Sequence, residues 1–222
     1  MFPALYAIID ATAADSAESL VSYTESLLRA GVRLIQLRAK RLSSRQTYDL
    51  TLKIAERIKA ADGSQRTVFR PAATFIVNDR PDIAVLAGAG GVHVGQDDLP
   101  VQAARKICPI PQWVGVSTHN IDQLRAADAT SADYIAVGPI FSTASKENPD
   151  PVVGLDFLRT ARKLTRKPLV AIGGITVQSA PDVFRAGADS VAVISDLKAT
   201  GDTEGRAREY LEIASRIARE RS

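Results

Sequence analysis

The chain has a single cysteine, Cys108, in 222 residues, so no intrachain disulfide can form. Set between Ile107 and Pro109, that thiol reads as a small buried filler and not as a nucleophile. Long apolar runs are also missing: no stretch approaches the ~18 residues needed to cross a bilayer as a helix. The first segment, MFPALYAIID, has no basic residues ahead of its apolar run and meets Asp10 close behind it, so it is not expected to be a signal peptide. A basic block is absent as well. Lys and Arg number 28 against 25 Asp and Glu, for a net charge of +3. The cations after Arg206 alternate with Glu and apolar residues, as on the solvated face of a last helix. The expectation is therefore a cytoplasmic protein with no nucleic-acid partner and no membrane partner.

What is present is ordinary globular composition, 45% hydrophobic and 24% charged, at a length that fits one domain over 1–222. Short apolar runs rich in β-branched residues alternate with helix-like segments. Strands are expected over 5–9, 33–37, 74–77, 91–94, 113–116, 134–137, 169–172 and 190–194. Helices are expected over 16–30, 44–61, 81–87, 101–107, 121–129, 155–164, 176–186 and 204–221. Asp15 or Ser16 would cap the first helix and Ser43 or Ser44 the second. The phrases Ala30-Gly31-Val32, Ala87-Gly88-Ala89 and Ala186-Gly187-Ala188 recur where a helix turns back to a strand. Eight strands, each followed by a helix and each apolar on both faces, predict a parallel sheet closed as an α/β (β/α)8 TIM barrel, a single domain.

In such a barrel the site lies at the C-terminal ends of the strands. The second strand ends in Gln36, Arg38 and Lys40, which point the same way by period-two alternation and suit an anion such as phosphate. Asn78 and Asp79 follow the third strand, and Gln96, Asp97 and Asp98 follow the fourth. Carboxylates on adjacent strand ends can share Mg2+, which is usually held by one or two carboxylates plus substrate phosphate. One of Asp97 and Asp98 is expected to cap the next helix instead, and Asp79 could cap the helix at Pro81. Ser117, Thr118 and His119 follow the fifth strand. His119 is either an acid/base group or a neighbour of a helix cap, whereas His93, inside a strand, reads as structural. Gly173-Gly174 and Ser195 follow the last two strands, the recurrent phosphate position of this fold. A second anion pocket thus faces the first. The pairing suggests a transferase joining two phosphate-bearing small molecules, or an isomerase or lyase of one bisphosphate. Between the pockets runs a long polar loop, 138–154, with Thr143, Ser145, Lys146 and three prolines. A loop of that length is functional or disordered.

Five segments carry a family resemblance: QLRAK, FIVNDRPDIAVLAGAGGVHVGQDDLP, VGVSTHN, ADYIAVGPIFSTASKENPDPVVGL and PLVAIGGITVQSAPDVFRAGADSVAVIS. In that order they resemble the signature segments of thiamine phosphate synthases. The resemblance implies Mg-dependent condensation of hydroxymethylpyrimidine diphosphate with thiazole phosphate or its carboxylate, giving thiamine phosphate and pyrophosphate. It implies that Gln36, Arg38, Lys40 and Asn78 bind the pyrimidine diphosphate and that Asp79 and Asp98 hold Mg2+, leaving Asp97 as the cap. Ser117 would contact the pyrimidine, and Thr143 and Ser145 the thiazole phosphate. Gly174, Ile194 and Ser195 would take its phosphate, and Lys146 would meet the leaving diphosphate. Catalysis would rest on Lys146, Arg38 and Ser117. Departures from the family pattern are small: Ala39 stands where Glu is frequent, Ser145 where a second Thr is frequent, and 64–71 is longer than usual. The rival readings are a thiazole tautomerase of the same barrel family, using His119, and a non-catalytic binder of thiazole phosphate or thiamine phosphate.

Overall fold

The computed structural model describes residues 2–61, 73–143 and 151–221. The strands are β1 (Leu5–Asp10), β2 (Leu34–Arg38), β3 (Thr74–Asn78), β4 (Gly91–Val94), β5 (Trp113–Thr118), β6 (Tyr134–Val137), β7 (Leu169–Ile172) and β8 (Ser190–Val193). The helices are α1 (Ala17–Arg29), α2 (Ser44–Ala61), α3 (Pro81–Leu86), α4 (Val101–Ile107), α5 (Ile121–Asp128), α6 (Gly154–Leu164), α7 (Ala180–Arg185) and α8 (Thr203–Glu220). All strand pairs are parallel and run in sequence order, and β1 closes on β8 through Leu5–Val191, Tyr6–Ala192 and Ala7–Val193. This is the expected (β/α)8 barrel.

Alternation along the strands divides the apolar side chains into two cores. One parity points inward and gives the cluster of Tyr6, Ile8, Leu34, Ile76, Tyr134, Ala136, Val170 and Ala192. The other, including Ala7, Ile9, Ile35, Leu37, Val77 and Val92, packs outward beneath the helices. Tyr134 takes so much of the interior that the facing strand must carry glycine: a Cβ on Gly115 would lie 2.0 Å from its ring.

The helix ends follow local chemistry. Ser16 caps α1, accepting from Ser19 N at 3.1 Å. Ser43 starts α2 in a reciprocal capping box: Gln46 Oε1 accepts Ser43 N, and Ser43 Oγ accepts Gln46 N. The three Ala-Gly repeats end α1, α3 and α7 in one way. The residue after each glycine donates back to Leu27, Ala84 or Val183, and Gly31, Gly88 and Gly187 have φ of 90°, 67° and 117°. That left-handed turn strains any residue with a Cβ, which is why glycine recurs there.

Two capping expectations are overturned. The cap of α4 is Pro100, with no side-chain hydrogen bond, so Asp97 does not cap it. Asp98 accepts instead from Gly95 N at 2.7 Å, closing the tight turn within its own loop. Nor does Asp79 cap α3, whose N-cap is Arg80 with no side-chain hydrogen bond; the proline at the start leaves one fewer donor to satisfy. The expected helix from 176 begins only at Ala180. Ser179 Oγ accepts Thr176 N at 3.0 Å, a local bond that competes with helix.

Candidate functional site

A cavity of about 730 Å3 opens at the C-terminal ends of the strands. Its lining includes Gln36, Arg38, Lys40, Asn78, Asp79, Asp98, Ser117, Thr143, Gly174, Ile194 and Ser195, residues scattered over more than 150 positions of sequence. Ser145 and Lys146, the remaining expected site residues, lie outside the described residues, as do 64–71. Parallel register explains the convergence: each strand delivers its last inward-facing side chain to the same rim.

On one wall, Arg38 Nη1 meets Asp10 at 2.6 Å across the β1–β2 pair, and Lys40 Nζ meets Asp79 at 3.1 Å. Asp79 adopts φ of 62°, uncommon for a residue with a Cβ, and its N–H is held by His93 O at 2.8 Å. Burial pushes the Asp79 carboxyl up to about 6, and the hydrogen bond and like charge of Asp98 add to this. Lys40 opposes the shift without cancelling it. Two carboxylates thus sit together with too little positive charge nearby.

The opposite wall is backbone. Gly173 and Gly174 have φ of 102° and 60°. A Cβ on Gly173 would fall 2.5 Å from Pro139, and one on Gly174 would fall 2.3 Å from the Ser142 carbonyl oxygen. The glycines therefore admit the base of the 138–154 loop, which continues the sheet through Ile140 N to Ile172 O and Phe141 N to Gly173 O. Its far end is tied by Val153 N to Pro139 O at 2.9 Å.

A polar chain crosses the floor. Gln36 Nε2 donates to Tyr6 OH at 2.5 Å, Tyr6 OH pairs with Tyr134 OH at 2.8 Å, and Tyr134 OH meets His93 Nδ1 at 3.1 Å. His93 Nε2 then reaches Ser117 Oγ at 2.9 Å. His93 is buried and stacked on Tyr134, as a structural histidine would be, yet it also lines the cavity and holds Ser117. Burial raises both tyrosine hydroxyls out of the physiological range, so they stay protonated. His119 also lines the mouth. Its Nδ1 bonds the Gly138 carbonyl at 2.6 Å, which places the proton on Nδ1 in the neutral tautomer. Sequence reasoning missed Tyr6 and Tyr134, because aromatic residues within apolar runs look like core. The signal for them was their inward parity.

Fold and site define the class: a (β/α)8-barrel protein with a charged cavity at the strand C-termini, lined by Arg38, Lys40 and an acidic pair on one side and glycine-bared on the other. The family model described as thiamine monophosphate synthase matches residues 5–197, and the chain belongs to that family. It is 50% identical over 214 residues to a thiamine-phosphate synthase of Koribacter versatilis (strain Ellin345), covering 95% of each chain. It is 41% identical over 193 residues to the thiamine-phosphate synthase of Archaeoglobus fulgidus, covering 87% of this chain and 86% of that one. The fold is similar to that of thiamine phosphate pyrophosphorylase from Pyrococcus furiosus, with a TM-score of 0.80, 28% identity and 96% of both chains covered.

Proposed function

We propose that this protein is a transferase that makes thiamine phosphate from hydroxymethylpyrimidine diphosphate and thiazole phosphate, or its carboxylate, with release of pyrophosphate. Beside the family membership, one observation carries the reading. A single cavity brings Arg38, Lys40 and the Asp79/Asp98 pair to one wall and Gly174 and Ser195 to the other. That arrangement suits two phosphorylated ligands meeting face to face.

The roles follow from the chemistry. Arg38 and Lys40 bind the diphosphate, whose anionic oxygens match their donors. Gln36, Asn78 and Ser117 orient the pyrimidine over the floor, with Ser117 held by His93. The amides at Gly174, Ile194 and Ser195 bind the thiazole phosphate, and Thr143 and Ser145 contact the same substrate. The donor set fits Mg2+: two oxygen ligands, crowded enough that Asp79 retains a proton up to about pH 6. Asp79 and Asp98 would hold Mg2+, which would supply Lewis-acid stabilisation of the diphosphate charge.

In the reaction the methylene C–O bond breaks and its electron pair leaves with the diphosphate. The pyrimidine, with its electron-donating amine, stabilises the methylene cation. The thiazole nitrogen lone pair then forms the new C–N bond. Arg38 and Lys146 stabilise the charge that builds on the departing oxygens. No protein nucleophile takes part, in keeping with a Cys108 that is buried and bonded through Sγ to Pro81 O at 3.6 Å.

The test is incubation with both substrates, with and without Mg2+, following thiamine phosphate and pyrophosphate together. Equal, Mg-dependent amounts of the two products are expected. Turnover of a thiazole carboxylate tautomer without either product would overturn the reading in favour of a tautomerase.

A further inference from the structure

Asp196 stands one residue after Ser195, in a 3-10 turn over Ser195–Lys198, and lines the cavity. A carboxylate there is awkward, since it would repel a phosphate bound at Gly174 and Ser195. The surroundings answer this. Two hydrogen-bond donors and one cation from two other elements converge on its Oδ2. Val177 N, in the loop after β7, lies at 3.3 Å. Tyr210 OH, from α8, lies at 2.7 Å. Arg206 Nε, also from α8, lies at 3.8 Å, with both charged side chains largely buried. Tyr210 OH additionally reaches Ile175 O at 3.3 Å, beside Gly174. Arg206 is itself oriented by Glu209 at 2.9 Å.

We propose that Asp196, Tyr210 and Arg206 form a positioning clamp for the phosphate pocket. Asp196 ties the β7 loop to the turn after β8, so that the backbone N–H groups of Gly174 and Ser195 keep one spacing. Arg206 draws the Asp196 charge back from the cavity, so the clamp holds the loops without repelling the ligand. The clamp acts through those amides and touches no reacting atom. It therefore governs affinity for the phosphate end of the thiazole substrate and not the pyrimidine side. The inference rests on the proposed reaction, because that reaction supplies the phosphate.

Steady-state kinetics on the whole protein tests it, with KM measured separately for each substrate. Tyr210→Phe, which removes one hydroxyl and keeps the ring, should raise KM for thiazole phosphate by about tenfold, the scale of one hydrogen bond to a charged group. KM for the pyrimidine diphosphate and kcat should stay within about twofold, since uniform binding of one ligand alone is removed. Arg206→Met should weaken thiazole phosphate binding further, because Asp196 then faces the phosphate unneutralised. Adding Asp196→Asn to Arg206→Met should recover most of that loss. Binding of the unphosphorylated thiazole alcohol should change little in every variant. Equal KM increases for both substrates, or a double variant no better than Arg206→Met alone, would overturn the clamp. Wild-type protein that forms no thiamine phosphate would overturn the proposed reaction instead, so the two failures are distinct.

Discussion

The two ends of the barrel use charge in opposite ways. At the N-terminal rim, ions bind the chain to itself. Asp133, just before β6, accepts Val114 N at 2.6 Å and pairs with Arg105, which also donates to the carbonyls of Gln112 and Ser131. Asp189, just before β8, repeats the device: it accepts Leu169 N at 2.8 Å and pairs with Arg162 at 2.8 Å. Lys167 spans Thr130 O and Ala132 O. At the C-terminal mouth the balance is different. Asp79 keeps its carboxyl raised despite Lys40, and Asp98 adds to the crowding. The rim pairs Asp133, Asp189 and Lys167 with groups of the chain itself, whereas the mouth holds an acidic pair and a glycine-bared wall suited to ligands. On the proposed reading, stability lives at one end and chemistry at the other.

Substitutions can break or sharpen that contrast. The largest effects belong to the mouth. Asp98→Ala, Arg38→Met and Lys146→Ala should each lower kcat by about 10²–10³-fold, the range for removing one group that stabilises transition-state charge. The melting temperatures of Asp98→Ala and Lys146→Ala should stay near wild type by calorimetry. At the rim the pattern inverts. Asp133→Ala leaves Arg105 and Val114 N without their shared acceptor and should cost about 2–4 kcal/mol in urea unfolding. The kcat of the folded fraction should not change. A rim variant that loses kcat, or a mouth variant that loses mainly stability, would break the division.

A smaller effect separates the pair in the mouth by pH. The folded carboxyl of Asp79 titrates at about 6, above the ordinary value of 3.8, so the folded state holds this proton more tightly than the unfolded chain. Stability from this group is therefore greatest below about pH 4, falls as pH rises toward 6, and leaves a net cost above it. Asp79→Asn should raise the melting temperature of the metal-free protein at pH 8 and leave it nearly unchanged at pH 4, while abolishing Mg-dependent activity. The smallest effect is a control on the outer surface. The Arg45–Asp49 pair on α2 is well exposed, and Arg45→Ala should change stability by less than about 0.5 kcal/mol.

The barrel was legible because the strands are short apolar runs, most of them rich in β-branched residues, and three helices end in a local signal, as at Gly31, Gly88 and Gly187. The cations and acids of the mouth were legible because polar residues at the ends of apolar strands have few other uses. Three features were not. Whether Asp97 caps α4 depends on a turn that Asp98 closes on Gly95, which spacing alone does not reveal. Tyr6 and Tyr134 sit in apolar runs, and only the closed register shows that their hydroxyls meet. The role of Asp196 depends on α8 folding back beside the β7 loop, a contact between distant parts of the chain. Gly173 and Gly174 were read as a phosphate turn. The structure adds that they make room for the 138–154 loop.

The most direct test of the division is a crystal structure with thiamine phosphate, pyrophosphate and Mg2+ bound. The account predicts the phosphate of thiamine phosphate against the Gly174 and Ser195 amides. It places pyrophosphate on the opposite wall, between Arg38 and Lys40, with Mg2+ on Asp79 and Asp98. Both anions on one wall, or either one outside the mouth, would contradict it.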